Sequence, residues 1–212
     1  MLLLMPLALQ AQNHKGKTLT DRDTIPLFRG VAVSFDLVGV IQSGLGDYGQ
    51  YEAASRLNLR DRYFPVVELG VGHADADDVD SGLRYKTSAP YGRVGVDFNV
   101  LRNKHDVNRV YVGGRYGYTS FKYDVDGTAV KAPVWGDDVE YSYKDNSANC
   151  HWLELVAGVD ARIWGPLRLG WSLRYKRKLT AKDPAIGKAW YIPGYGRYDD
   201  RIGGTFNVII EL

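Results

Sequence analysis

The sequence predicts an all-β chain: an eight-stranded antiparallel up-and-down transmembrane β-barrel, with short turns at one end and longer loops at the other. Three observations point there. Apolar and polar residues alternate with a period of two in eight separate stretches. The links between those stretches are short and long in turn. Glycines Gly70, Gly72, Gly95, Gly113, Gly117, Gly158, Gly170 and Gly203 all fall in the polar register.

The stretches follow in order. Residues 30–40 (GVAVSFDLVGV) keep Val31, Val33, Phe35 and Leu37 in phase, and 51–59 set Tyr51, Ala53, Leu57 and Leu59 against Glu52, Arg56 and Asn58. Residues 64–73 oppose Val67, Leu69 and Val71 to Glu68, Gly70 and Gly72; 92–101 oppose Val94, Val96, Phe98 and Val100 to Arg93, Gly95, Asp97 and Asn99. Residues 109–121 place Val110, Val112, Tyr116 and Tyr118 opposite Gly113, Arg115, Gly117 and Thr119. Residues 151–163 oppose Leu153, Leu155, Val159 and Ile163 to Glu154, Gly158, Asp160 and Arg162. In 165–178 the leucines, Trp171 and Tyr175 face away from Arg168, Gly170, Ser172, Arg174 and Lys176. The last stretch, 201–212, sets Ile202, Phe206, Val208, Ile210 and Leu212 against Arg201, Gly203, Thr205, Asn207 and Glu211. No run of helical periodicity stands out among them.

Alternation alone does not say which face is inside. A soluble lipocalin-like barrel turns the apolar stripe inward, and a membrane barrel reverses it. Glycine on a solvated outer face only weakens a strand. Inside a narrow barrel it makes room for arginine or tyrosine from the next strand, which favours the membrane form. Tyr63, Phe64 and Trp164 at the short-turn ends, with Tyr51, Tyr91, Tyr118 and Tyr175 towards the long-loop ends, suit aromatic girdles. An even strand count puts both termini on the short-turn side, the periplasmic side of a bacterial outer membrane.

The 212 residues suffice for one large β domain, and a net charge of +2 suggests no nucleic-acid partner. The single cysteine, Cys150, excludes an internal disulfide framework and a cysteine-based zinc cluster. The apolar start MLLLMPLALQAQ is too short to span a bilayer and reads as a secretory leader over 1–12. Residues 13–28 then form a periplasmic extension, and 29–212 the barrel.

On these strands, the LALQAQ leader end and the wealth of tyrosine and glycine, the chain resembles the small eight-stranded outer-membrane barrels, particularly those of Bacteroidota-type bacteria. The resemblance is one of pattern and brings no catalytic motif. It implies location in the cell outer membrane and a role as a structural protein or accessory subunit of an outer-membrane complex.

The inward register gathers Glu52, Arg56, Glu68, Arg93, Asp97, Arg115, Glu154, Asp160, Arg162, Arg168, Arg174 and Arg201, with Glu211. Opposite signs on facing strands are expected to pair as a polar plug, since buried charge must be paired. Eight strands leave little room for a channel, which argues against a porin. Lys176, Arg177, Lys178 and Lys182 form a basic outer rim suited to lipid phosphates, those of lipopolysaccharide included. Asp75, Asp77, Asp78 and Asp80 could offer oxygen to a divalent ion but lack EF-hand spacing, so no metal or other cofactor is expected. Long loops bearing Trp135, Trp190 and Tyr195 are the expected contact surface for other outer-membrane proteins or lipoproteins. The alternative function is a lipid-modifying acyl hydrolase or acyltransferase. It would use a rim histidine, His151 or His73, to activate a hydroxyl such as that of Ser120. A soluble ligand-binding barrel is the third reading.

Overall fold

Sustained alternation lets β-branched and aromatic side chains pack on both faces of a pleated ribbon. It builds eight staves: β1 (Phe28–Asp36), β2 (Tyr48–Leu59), β3 (Tyr63–Asp78), β4 (Leu83–Asn99), β5 (Arg109–Lys131), β6 (Asp138–Trp164), β7 (Leu167–Lys182) and, after two short strands β8 (Tyr191–Ile192) and β9 (Gly196–Arg197), β10 (Ile202–Glu211). The architecture comes from a computed structural model that describes residues 26–78, 82–131, 138–182 and 189–212. The leader assigned to 1–12, most of the extension assigned to 13–28, Asp80 and Trp135 lie outside the described residues.

Each stave pairs antiparallel with its neighbours, and β1 closes the ring on β10. Ala32 stands opposite Glu211 and Asp36 opposite Asn207. The β2–β3 turn is the pair Arg60–Asp61, at φ 56° and 54°, with Arg62 N–H donating to the Leu59 carbonyl at 3.1 Å. That is the primed turn whose twist matches the strands it joins. Asn58 fixes it by donating to the Asp61 carboxylate at 2.7 Å.

Outward positions are apolar from the turn end up to one level. They run Val67, Leu69 and Val71 on β3, Val110 and Val112 on β5, Leu155 and Leu153 on β6, and Leu169, Trp171, Leu173 and Tyr175 on β7. Above that level the same faces become charged, with Asp75 and Asp77 on β3, Arg84 and Lys86 on β4, and Lys122 and Asp124 on β5. Inward positions carry the glycines and the charges. Gly117 shows why: a Cβ there would lie 2.2 Å from the Trp152 ring of β6. Phe64 and Tyr91, expected in the aromatic girdles, are 2% and 4% exposed and point into the lumen. They share register with Glu68 and Arg93, and that register decides their side.

The structure departs from the sequence expectation in three places. Residues 37–40 do not extend the first strand but begin a helix, α1 (Leu37–Leu45). The Asp36 carboxylate accepts from the Val38 and Gly39 N–H groups at 3.1 and 3.2 Å, a side-chain cap that ends the ladder and starts the helix. It also accepts from Phe206 N–H at 3.1 Å, replacing a backbone partner that β1 no longer offers β10. Second, most of the loops expected after the third and fifth stretches are strand, because alternation persists there with tyrosine and alanine inward and charge outward. Third, the described part of the last long loop folds into the barrel mouth.

Candidate functional site

Among the described residues the lumen gathers most of the buried charged side chains, and it is built in three tiers. In the middle tier Glu68 of β3 accepts from three arginines on three staves. Arg174 Nη1 lies at 2.7 Å, Arg93 Nη1 at 3.0 Å and Arg115 Nε at 3.0 Å. Glu52 takes Arg93 Nη2 at 2.8 Å, and Glu154 takes Arg174 Nη1 at 3.3 Å. Arg115 forks onto both oxygens of Asp97, at 2.7 and 2.9 Å, and Arg56 bridges Asp97 and Asp160. The bidentate geometry uses the rigid guanidinium fork that lysine lacks. Tyr91 donates to Glu52 at 2.6 Å and Trp152 Nε1 to Glu154 at 2.7 Å, so the carboxylates also receive neutral donors. Five carboxylates (Glu52, Glu68, Asp97, Glu154, Asp160) thus meet four guanidiniums (Arg56, Arg93, Arg115, Arg174), all buried or nearly so. Lys176, on the same face of β7, donates instead to the Tyr195 carbonyl at 2.6 Å.

A separate tier lies at the turn end. Glu211 accepts from Arg168 Nε at 2.8 Å, from Arg162 at 3.2 Å and from Arg109, so Arg168 and Arg162 do not join the middle network. Arg162 is 43% exposed there. Arg201 joins neither tier. It precedes β10 at the mouth, its side chain is exposed, and its carbonyl accepts from Lys176 N–H. The strand starts one residue too late to carry Arg201 inside.

The outer tier is a plug made by the loop between β7 and β10. Ile192–Pro193–Gly194–Tyr195 closes a tight turn, with Tyr195 N–H donating to the Ile192 carbonyl at 3.0 Å. Gly194 has φ +80°, and a Cβ on it would lie 2.4 Å from the Tyr91 ring. The turn's tip rests on the charged tier, because the Gly194 carbonyl accepts from Arg93 Nη2 at 3.1 Å. Higher up, Tyr85 donates to the Tyr191 carbonyl at 2.8 Å and Tyr191 to the Gly49 carbonyl at 3.1 Å. Trp152, Tyr85, Tyr123, Phe121, Ala189 and Ile192 form the buried aromatic packing around the turn.

This settles where the predicted rim residues go. Lys176 and Lys178 turn inward and clamp the plug through the Tyr195 carbonyl, at 2.6 Å, and the Tyr198 carbonyl. Arg177, between them, faces outward, and Lys182 is the last residue of β7. Of the aromatics expected on the loop contact surface, Tyr195 is 2% exposed and Trp190 stacks on Tyr85 at 5.6 Å. Aromatic side chains near a polar mouth bury themselves where the fold offers them a wall.

The two rim histidines, His73 and His151, lie on the outer face. His151 Nδ1 is 2.6 Å from the Tyr116 hydroxyl, and its ring packs on Tyr118 at 4.6 Å. His73 stacks on Tyr51 at 5.9 Å and stands opposite Ser88 across β3–β4. Both Asp75 oxygens accept from Arg84, at 2.8 and 2.9 Å, and that hydrogen bonding holds its carboxyl below the usual range. Among the described residues no group of three or more metal-ligating side chains converges.

The family model of DUF6048, a domain of unknown function, matches residues 1–211. The chain belongs to DUF6048. Among curated proteins none matches. Of solved structures, Neisserial surface protein A is similar at 12% identity over 86% of this chain and 94% of that one, with a TM-score of 0.42. The N-terminal β-barrel domain of Pseudomonas aeruginosa OprF is similar at 10% identity over 87% and 99%, with a TM-score of 0.37.

Several residues of this DUF6048 lumen escape sequence reasoning. Arg109 shares the register of Tyr111 and Arg115, a signal that was present but sat at a strand's first position. Tyr91 is expected in the girdle and Trp152 has no assigned role, whereas each donates to a buried glutamate. The plug's carbonyls carry no sequence signal at all.

Proposed function

We propose that this chain is an exported, integral outer-membrane barrel of a Bacteroidota-type bacterium, without enzymatic activity. It serves as a structural protein or as the accessory subunit of an outer-membrane protein complex. One observation carries the reading: the barrel is inverted relative to a soluble one. Leu155, Trp171, Leu173 and Ile202 are 60%, 66%, 62% and 69% exposed, while Arg93, Asp97 and Glu154 are 3% exposed or less. Exposing those staves to water leaves an apolar area far above that of a soluble monomer's patches, and a bilayer removes the cost. The ion-paired middle tier and the seated plug support a barrel that passes no solutes.

The test is direct. The purified chain should need detergent, run faster on gels unboiled than boiled, and give no steady conductance in planar bilayers. Solubility without detergent would refute membrane insertion, and stable open-channel steps would refute the closed lumen. Pull-down in mild detergent identifies any partner barrel or lipoprotein, and an unchanged lipid acylation profile in His73→Ala and His151→Ala strains checks the absence of enzymatic work.

A further inference from the structure

The lipid-facing wall has a gap in it. Gly114 of β5 is outward and has no side chain, and Val94, Val96, Leu153, Leu155 and Tyr175 stand around it, enclosing a groove of about 470 Å³. Arg177 lines the groove's loop end. It follows Leu167, Leu169, Trp171, Leu173 and Tyr175 in the outward register of β7, and is its first charge.

Register places Arg177 beside Leu153, and Leu153 beside Tyr116, so the three form one row across β7, β6 and β5. The Tyr116 hydroxyl, bonded to His151, closes the row. Among the described residues no carboxylate pairs with Arg177. The lumen arginines Arg56, Arg93, Arg115, Arg168 and Arg174, by contrast, each pair with a carboxylate. A guanidinium directly above an apolar groove, at the level where the outer face turns from apolar to charged, matches an amphiphile with an anionic phosphate head.

We propose that this groove binds one membrane lipid with a phosphate headgroup, the phosphate on Arg177 beside the Tyr116–His151 pair and an acyl chain over Gly114. The proposal rests on the membrane reading above and adds a site and a ligand class to it.

The experiment titrates the full barrel, in a neutral detergent, with phosphatidylglycerol and counts retained lipids by native mass spectrometry. Wild type should retain one lipid in preference to the rest. Arg177→Gln should weaken its retention about fivefold, the share of one arginine in attraction to anionic lipid. Gly114→Leu, which fills the groove, should lower retention while leaving the gel shift intact. Equal retention by wild type and Arg177→Gln overturns the site, and so does loss of the lipid on adding millimolar inorganic phosphate, which would mean a free-anion site. If the gel shift and the detergent requirement are themselves missing, the membrane reading fails instead, so the two failures are told apart.

Discussion

Glu68→Gln keeps shape and removes one charge from the point where three guanidiniums meet. In the native barrel Glu68 holds Arg174, Arg93 and Arg115 at 2.7, 3.0 and 3.0 Å with its side chain 3% exposed. A glutamine oxygen can keep one or two of these bonds. Its amide then points two donors at groups that only donate. Each lost charge-assisted bond is worth about 1.5–3 kcal/mol. Asp97 still serves Arg115, and Glu52 still serves Arg93, which limits the damage. Removing one partner of a buried ion cluster costs about 3–5 kcal/mol overall, and that is the expected loss here. Guanidinium unfolding of the micelle-bound barrel, followed by tryptophan emission and the gel shift, measures it. The double variant Glu68→Gln/Arg174→Met should cost about 1–3 kcal/mol less than the sum of the singles, because the two side chains share a bond. A loss under about 1 kcal/mol, or strict additivity, would refute the network as a source of stability.

Other perturbations test the remaining parts of the frame. Gly117→Ala puts a methyl 2.2 Å from the Trp152 ring and should cost about 1–3 kcal/mol by overpacking; adding Trp152→Leu should relieve it, as unfolding midpoints would show. Gly194→Ala forces φ +80° on a residue with a Cβ and drives that Cβ into Tyr91. The expected outcome is new protease cleavage within 189–198 with the gel shift retained. Asp36→Ala removes the cap of α1 and should cost about 1–2 kcal/mol, with hydrogen exchange rising over 37–45 and not in β3 or β4.

How far the sequence reached can be traced residue by residue. Strand existence and facing were legible because period-two alternation is a local property: Val67, Leu69 and Val71 face out and Glu68 faces in, whatever lies across the barrel. Glycine register was legible for the same reason, and Gly117 meets the side chain it makes room for. Strand length was not. Asp75, Asp77 and Lys86 read as loop because they are polar, yet above an apolar belt an outward strand position should be polar. The first stretch failed at Asp36, where a capping carboxylate outweighed the β-branched residues that follow it. Pairing within the lumen was legible only as signs. That Glu68 serves three arginines while Arg168 goes to Glu211 depends on height along the staves, which alternation does not encode. The plug was illegible, since Arg93, Tyr85, Lys176 and Lys178 hold it through backbone carbonyls that any sequence could provide.

The plug changes where a protein partner can dock. Trp190 and Tyr195 already pack against the mouth, so they offer little apolar anchor to another chain. What the outer strands present instead is a charged sheet face of alternating sign, with Asp75 on Arg84 and Lys122 on Asp145. Exposed pairs of this kind add little to stability and are screened by salt. Contact there should be electrostatically steered and salt-sensitive. The other open surface is α1, where Ile41 and Leu45 are 58% and 86% exposed beside the place where β1 stops short. A contact made through these apolar side chains should resist salt. Complex stability measured against ionic strength therefore separates docking through the outer sheet from docking through the helix.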